Sequence, residues 1–118
     1  MKYCFPTTLR IRNARQFRRV FIEKNRFFGR YYVLYYRQNC LDHGRVGVTI
    51  TKRKIRRAVA RSQLKRIIRE NFRLQQYKLS GLDLVFIVKR GAETASKLEL
   101  QQCSNQLITR LTESLKSS

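Results

Sequence analysis

The sequence predicts an α+β fold, a single-domain sandwich in which a small mixed sheet of about four strands packs against three helices. Three observations predict it. Apolar residues recur at helical spacing in three segments, aromatic and β-branched residues alternate in two others, and one short segment is almost wholly apolar. The predicted order is helix, two strands, helix, strand, helix. With 118 residues, one proline and no linker-like stretch, we expect one domain, residues 1–118.

Two of the predicted helices carry a signal for their first turn. Asn13 with Gln16 three residues later predicts the start of the first helix, on which Phe17, Val20 and Phe21 share one face. Ser96 and Glu99 have the same capping-box spacing and predict the start of the last helix. The apolar face of this last helix is predicted to contain Leu100, Leu107, Ile108, Leu111 and Leu115.

The strands are predicted from alternation and from composition. In RYYVLYYR, alternation places Tyr31, Val33 and Tyr35 on one side and Tyr32, Leu34 and Tyr36 on the other. RVGVTITK is predicted to be a second strand, paired with the first as a hairpin. LDLVFIV is almost continuously apolar, as is typical of a strand buried on both faces.

The segment between the last two of these strands is strongly basic. Residues 52–73 contain ten Lys or Arg and one acid, Glu70. We predict a helix from about Arg56 to Tyr77, with an apolar stripe formed by Ala60, Leu64, Ile67, Ile68 and Leu74. A basic residue recurs at every fourth position, and this row is predicted to form a ridge that Arg66 widens. The row consists of Arg57, Arg61, Lys65, Arg69 and Arg73.

This charge requires an anionic partner. The chain has 27 basic and seven acidic residues, a net charge of +20, and such self-repulsion destabilises a small domain unless a polyanion binds to it. An ordinary solvated helix face mixes both signs of charge. A helix that is nearly all Arg and Lys favours recognition of RNA backbone and shape over base readout in the major groove of DNA. An affinity that falls steeply with salt is expected.

Aromatic residues offer a second kind of nucleic-acid contact. Phe17, Phe21 and one face of the tyrosine strand could form a platform on which unpaired bases stack, with charge supplied by Arg15, Arg18 and Arg19. A Phe pair at this spacing is also typical of simple core packing.

No catalytic or metal-binding constellation is evident in the sequence. The seven acids have no paired spacing, His43 has no evident partner, and no Gly-rich phosphate loop occurs. Cys4, Cys40 and Cys103 lack metal-ligand spacing and are expected to be ordinary, partly buried residues. Because neither a membrane span nor a signal peptide is recognisable, we expect a cytoplasmic protein that does not bind membranes.

Residues 45–74, RVGVTITKRKIRRAVARSQLKRIIRENFRL, resemble the signature region of the bacterial ribonuclease P protein component family. The family pattern is a glycine-containing strand that ends in two basic residues, followed by A-V-x-R-N-R-x-x-K-R-x-x-R-E-x-F-R. QFRRVF, YVLY and LDLVFIVKRGA also match in order and spacing. Two positions depart from the pattern, because Ser62 and Gln63 stand where the family has Asn and Arg.

The resemblance implies that the protein joins a catalytic RNA, which removes the 5′ leader of precursor tRNA by Mg²⁺-dependent hydrolysis. It implies that the protein itself carries no catalytic residue and no metal. DNA is not expected as a partner. It implies that the basic helix faces the catalytic RNA, and that a cleft between the first helix and the sheet binds the leader. The expected contacts to the catalytic RNA are Arg61, Ser62, Gln63, Lys65, Arg66 and Arg69, to which the charge pattern adds Lys52, Arg53, Arg57 and Arg73. The expected leader contacts are Phe17, Phe21, Tyr35 and Arg18. The resemblance also implies a left-handed β-α-β crossover.

Other functions with the same basic surface stay open at this stage. A ribosomal or other structural RNA-binding protein would have no preference for a 5′ leader. A protein-only nuclease would need carboxylates that the sequence does not cluster. An architectural DNA-binding protein would bind duplex DNA more tightly than structured RNA.

Overall fold

The computed structural model describes residues 10–11 and 13–116. The helices are α1 (Ala14–Ile22), α2 (Ala58–Gln75) and α3 (Lys97–Lys116), and the strands are β1 (Arg26–Phe28), β2 (Tyr32–Gln38), β3 (Arg45–Thr49) and β4 (Leu82–Val88). Short 3₁₀ helices occupy Gln76–Lys78 and Arg90–Thr94. The predicted fold class, three helices and a four-stranded mixed sheet, is confirmed for the part of the chain that the structure describes.

The strand order in the sheet is β1-β2-β4-β3. β2 is antiparallel to both β1 and β4, whereas β3 is parallel to β4. The predicted hairpin between β2 and β3 is therefore wrong, because β4 lies between them. The physical reason is burial: β4 is the most apolar strand, and at a central position helices cover both of its faces. Strand β1, which was not predicted separately, is a three-residue edge strand.

Helix α2 connects the parallel strands β3 and β4, so the predicted β-α-β unit is present. The handedness of this crossover stays a prediction that rests on the family resemblance. Within the described residues, no helix has the length and apolar character needed to cross a membrane.

The helices cover the two faces of the sheet unequally. Helices α2 and α3 pack against one face, where Leu34, Leu84 and Phe86 are fully buried in the larger core. The nine-residue α1 covers part of the other face, where Val20 and Val85 belong to a smaller core. The smaller core leaves neighbouring aromatic rings half-buried, and this face contains the candidate groove described below.

Local patterns predicted the starts of α1 and α3 correctly. The Asn13 side chain accepts a hydrogen bond from the Gln16 amide at 2.9 Å. The Ser96 amide donates to the Glu99 carboxylate at 3.0 Å, and the Glu99 amide donates to the Ser96 hydroxyl at 3.1 Å. The predicted apolar face of α3 is confirmed, with Leu115 partly buried and the other members buried.

Two details of the predicted side-chain placement are wrong. Leu74 is 58% exposed. Seven residues separate it from Ile67, which places it about 20° around the helix axis from Ile67. Because Ile67 is at the edge of the buried face of α2, this rotation moves Leu74 into solvent. Phe72 and Asn71 are buried on this face instead. Tyr31 does not share a side with Tyr35: it precedes β2, and its hydroxyl donates to Glu99 of α3 at 3.1 Å.

Of the cysteines, Cys103 is buried, and Cys40 is exposed in a turn at a φ of 60°. The expectation of partial burial is therefore wrong for Cys40, whose turn follows β2. Cys4 lies outside the described residues.

A buried carboxylate joins three strands at one end of the sheet. Asp83 of β4 has no exposed surface and accepts two hydrogen bonds from the Arg45 guanidinium of β3, both at 2.8 Å. Asn39 donates to the same carboxylate at 2.8 Å, and the Arg37 guanidinium of β2 lies 3.6 Å from it. A buried charge is tolerated only when it is paired and hydrogen-bonded, so this cluster fixes the register of β2, β4 and β3.

Candidate nucleic-acid interface

The basic helix begins at a linker that its own side chains hold in place. Arg57 is the N-cap residue, and no side chain caps the first turn. Instead, the Arg61 guanidinium donates to the backbone carbonyls of Ile55 and Arg56, at 2.9 Å each. Arg61, predicted to contact RNA, is thus half-buried and orders the linker that carries the exposed Lys52 and Arg53.

The row of basic residues at every fourth position does not form one uniformly exposed ridge. Each step of four residues rotates the row by about 40°, so it winds around α2. Lys65, Arg69 and Arg73 are half-buried along its flank. Arg73 forms an ion pair with Glu70, and this hydrogen bond lowers the pKa of the Glu70 carboxyl. The predicted single ridge is therefore wrong in shape, although its charges remain at the surface of α2.

The cations in the middle of α2 keep their charge available for an anion. Within the described residues, no carboxylate lies at ion-pairing distance from Lys65, Arg66 or Arg69. Burial, and then the neighbouring Arg10 guanidinium, lower the pKa of Arg69. Repulsion between like charges is relieved when an anion binds beside them.

The two positions that depart from the family pattern lie on the solvent face of α2. Ser62 and Gln63 are exposed and line a shallow depression of about 360 Å³ together with Ala58, Val59 and Arg66. Val59 is 70% exposed. This face therefore offers an apolar contact and two uncharged polar side chains beside a single guanidinium.

We predict that Arg66→Gln weakens binding to structured RNA and lowers the slope of log affinity against log salt by about 0.7–0.9, since one phosphate contact is lost. Affinity is measured between low and moderate salt. Lys24→Gln, which removes one exposed charge from the turn after α1, is the matched control and should leave the slope unchanged. Equal slopes for Arg66→Gln and the unmodified protein would contradict this role.

The opposite face of the sheet carries an aromatic groove beneath α1. It has a volume of about 550 Å³ and is lined by Ala14, Phe17, Arg18, Phe21, Ile22 and Thr49. The Phe17 and Phe21 rings lie with their centroids 6.4 Å apart at an interplanar angle of 29°. Tyr35 of β2 meets Phe21 edge to face at 5.0 Å and 88°. The structure thus brings the four residues predicted for a leader-binding cleft together.

Gly47 of β3 makes room for this groove. A Cβ atom at Gly47 would lie 2.7 Å from Cε1 and 2.8 Å from Cζ of Phe17, so the ring rests directly on the strand backbone. The alternative interpretation, simple core packing, accounts for only part of the arrangement, because Phe17, Phe21 and Tyr35 stay half-exposed at the edge of the smaller core. Sequence reasoning missed Ile22 and Thr49 in the lining, and the only signal for Gly47 was a glycine inside a strand pattern.

The fold, the charge and the groove define a small nucleic-acid-binding protein with a strongly basic helix on one face of the sheet and an aromatic groove on the other. Residues 5–112 match the family model described as Ribonuclease P. The chain belongs to the ribonuclease P protein family, which confirms the resemblance seen in the sequence.

Curated relatives and solved structures agree with this assignment. The chain is 39% identical over 118 residues to the ribonuclease P protein component of Coxiella burnetii (strain Dugway 5J108-111), covering 100% of this chain and 98% of the relative. It is 35% identical over 107 residues to that of Escherichia coli O157:H7, covering 91% and 90%.

Among solved structures, the RNase P protein of Thermotoga maritima aligns with a TM-score of 0.74 at 27% identity, covering 86% of this chain and 96% of that one. A Staphylococcus aureus RNase P protein mutant with defective mRNA degradation activity aligns with a TM-score of 0.81 at 27% identity, covering 88% of each chain.

Proposed function

We propose that this chain is the protein subunit of ribonuclease P, which binds the catalytic RNA through α2 and its linker and binds the 5′ leader of precursor tRNA in the aromatic groove. Family membership supports the first contact. The observation that carries the second is the groove itself: half-exposed aromatic rings lie beside Arg18, on the face of the sheet opposite α2. One molecule can therefore hold the catalytic RNA and a single strand at the same time.

Hydrolysis is assigned to the RNA partner. Four of the seven described carboxylates are held by other groups: Asp83 by Arg45, Glu70 by Arg73, Glu23 by Arg37, and Glu99 by the Ser96 amide and Tyr31. Within the described residues, no group of three or more His, Cys, Asp or Glu side chains could hold a metal ion. In this proposal the Mg²⁺ of the reaction belongs to the catalytic RNA.

The protein contributes binding and orientation. Bases of the leader stack on Phe17, Phe21 and Tyr35, while Arg18 offsets phosphate charge. This contact exists only when a leader is present, so it favours precursor over mature tRNA and fixes the direction in which the strand leaves the cleavage site. The cations of α2 offset phosphate repulsion in the folded RNA, which lowers the Mg²⁺ concentration that the RNA needs for folding and activity.

The proposed site of action is the cytoplasm.

We predict that Phe21→Ala weakens binding of leader-bearing tRNA to the reconstituted complex by about 1–3 kcal/mol, because a base loses its stacking partner. Binding of leaderless tRNA should not change. Both affinities are measured with the same catalytic RNA and at one salt concentration. Leu98→Ala, which removes an exposed apolar side chain from α3, is the control and should affect neither substrate. Equal weakening of both tRNAs by Phe21→Ala would contradict leader binding in the groove.

The RNA that co-purifies with the chain at moderate salt tests the first contact. We expect a single structured RNA that cleaves leader-bearing tRNA when recombined with the protein. Recovery of ribosomal RNA alone, with no cleavage, would support the alternative of a ribosomal protein.

A further inference from the structure

A further aromatic residue, outside the groove, lies exposed on the edge strand of the sheet. Phe28 of β1 is 59% exposed, and no element of the described chain covers its ring. Two cations approach its ring: the Arg26 guanidinium lies 5.4 Å from the ring centroid and the Lys89 ammonium lies 6.0 Å from it. Both distances are within the range of cation–π contact, and more than half of the Phe28 side chain stays open to solvent.

Phe28 lies on the same face of the sheet as the groove. In the β1–β2 register, Arg26 is opposite Tyr35 and Phe28 is opposite Val33. Residues directly opposite each other point to the same side of a sheet, as do residues two apart along a strand. The Arg26 guanidinium lies 5.9 Å from the Tyr35 ring and 5.4 Å from the Phe28 ring. Arg26 is therefore near both rings, and Tyr35 in turn contacts Phe21 of the groove.

The backbone that carries Phe28 is held from two directions. The Arg110 guanidinium of α3 donates to the Phe28 carbonyl at 2.9 Å, and the Lys89 ammonium donates to the Gly29 carbonyl at 2.7 Å. A Cβ at Gly29 would lie 2.9 Å from Cδ1 of Leu107, so this backbone rests closely on α3. The exposed ring is thus presented by an ordered segment of chain.

We propose that Phe28, with Arg26 and Lys89, is a second base-stacking site that extends the groove toward the β1 edge of the sheet. The inference rests on the proposed leader binding and names a further site for the same single-stranded RNA. An exposed ring between two cations fits a nucleotide, which brings a π-face for the ring and a phosphate for the cations. The net charge of +20 disfavours a basic partner at this place.

The strand order gives the direction in which the leader runs. Helix α2 packs against β3, and β1 is at the opposite edge of the sheet. A leader that leaves the cleavage site, held by the catalytic RNA at α2, meets the groove beside Thr49 of β3 first and the β1 edge last. Phe28 therefore contacts nucleotides farther from the cleavage site than Phe21 does.

The test uses the reconstituted complex and a series of precursor tRNAs whose unstructured leaders increase in length. We expect Phe28→Ala to weaken binding about tenfold for long leaders and not at all for the shortest ones. The shortest leader whose binding is weakened by Phe28→Ala should be longer than the shortest leader whose binding is weakened by Phe21→Ala. Phe28→Trp, which keeps a stacking surface, should restore binding. Tyr77→Ala removes an exposed ring that has Lys78 at 5.6 Å, and this matched control should have no length-dependent effect.

A loss that is equal at all leader lengths, no loss at any length, or an onset no later than that of Phe21→Ala would overturn the second site. Phe28→Ala must also retain the thermal stability of the unmodified protein, because the ring is exposed. If Phe21→Ala depends on the leader and Phe28→Ala does not, only this inference fails. If neither variant depends on the leader, the proposed leader binding fails as well.

Discussion

Replacing Asp83 with alanine is expected to destabilise the protein by about 3–5 kcal/mol, which is a large part of the stability of a small domain. The carboxylate is fully buried, and its removal leaves the Arg45 guanidinium without both of its 2.8 Å hydrogen bonds. Arg37 and Asn39 lose a partner at the same time. Most of the lost stability comes from burying these polar groups without hydrogen-bond partners, and less comes from the lost electrostatic attraction.

Urea unfolding followed by circular dichroism measures this effect. Asp42→Ala is the matched control, because the Asp42 side chain is 99% exposed and its partner His43 is its neighbour in sequence. This control should change the free energy of unfolding by less than about 0.5 kcal/mol. An Asp83→Ala protein as stable as the control would show that the cluster does not hold the strands in register.

Gly47→Ala is expected to change both stability and leader binding. The added Cβ would lie 2.7–2.8 Å from the Phe17 ring and 3.1 Å from Cβ of Ile11, so the ring must move. Such overpacking costs about 1–3 kcal/mol of stability. A displaced Phe17 also loses its place in the groove, and binding of leader-bearing tRNA should fall by about a further 1–3 kcal/mol.

The matched control for this substitution is Gly91→Ala, where an added Cβ meets no atom within 4 Å. This variant should keep both its stability and its affinity for leader-bearing tRNA. Binding of the catalytic RNA should be unchanged in both variants, because α2 lies on the other face of the sheet. Unchanged leader binding in Gly47→Ala would mean that the Phe17 ring does not contribute to the groove.

The features predicted correctly from the sequence depend on short stretches of chain. The capping pairs Asn13–Gln16 and Ser96–Glu99 each involve residues three apart, and the apolar face of α3 follows from helical spacing alone. The position of β4 between β2 and β3 depends on pairing across the whole sheet, and local pattern carries no information on it. The sequence therefore predicted the three helices and the strands β2, β3 and β4, while the short strand β1 and the order of the sheet required the structure.

The site shows the same division. Phe17, Phe21 and Tyr35 were assigned from the resemblance, and the structure brings them together. The roles of Gly47 and Phe28 could not be predicted, because each depends on a contact with an element distant in sequence. The spacing of the basic row also gave no indication that the Arg61 guanidinium would donate hydrogen bonds to the carbonyls of Ile55 and Arg56 in the linker.

The central place of β4 has a consequence for how the protein is made. Residues 82–88 must emerge from the ribosome before the middle of the sheet exists, because β2 and β3 have no direct pairing. Until then the nascent chain holds its most cationic stretch without a scaffold, close to ribosomal RNA. Because the sheet is completed late, the basic residues 52–73 form an ordered RNA-binding surface only after β4 has been synthesised.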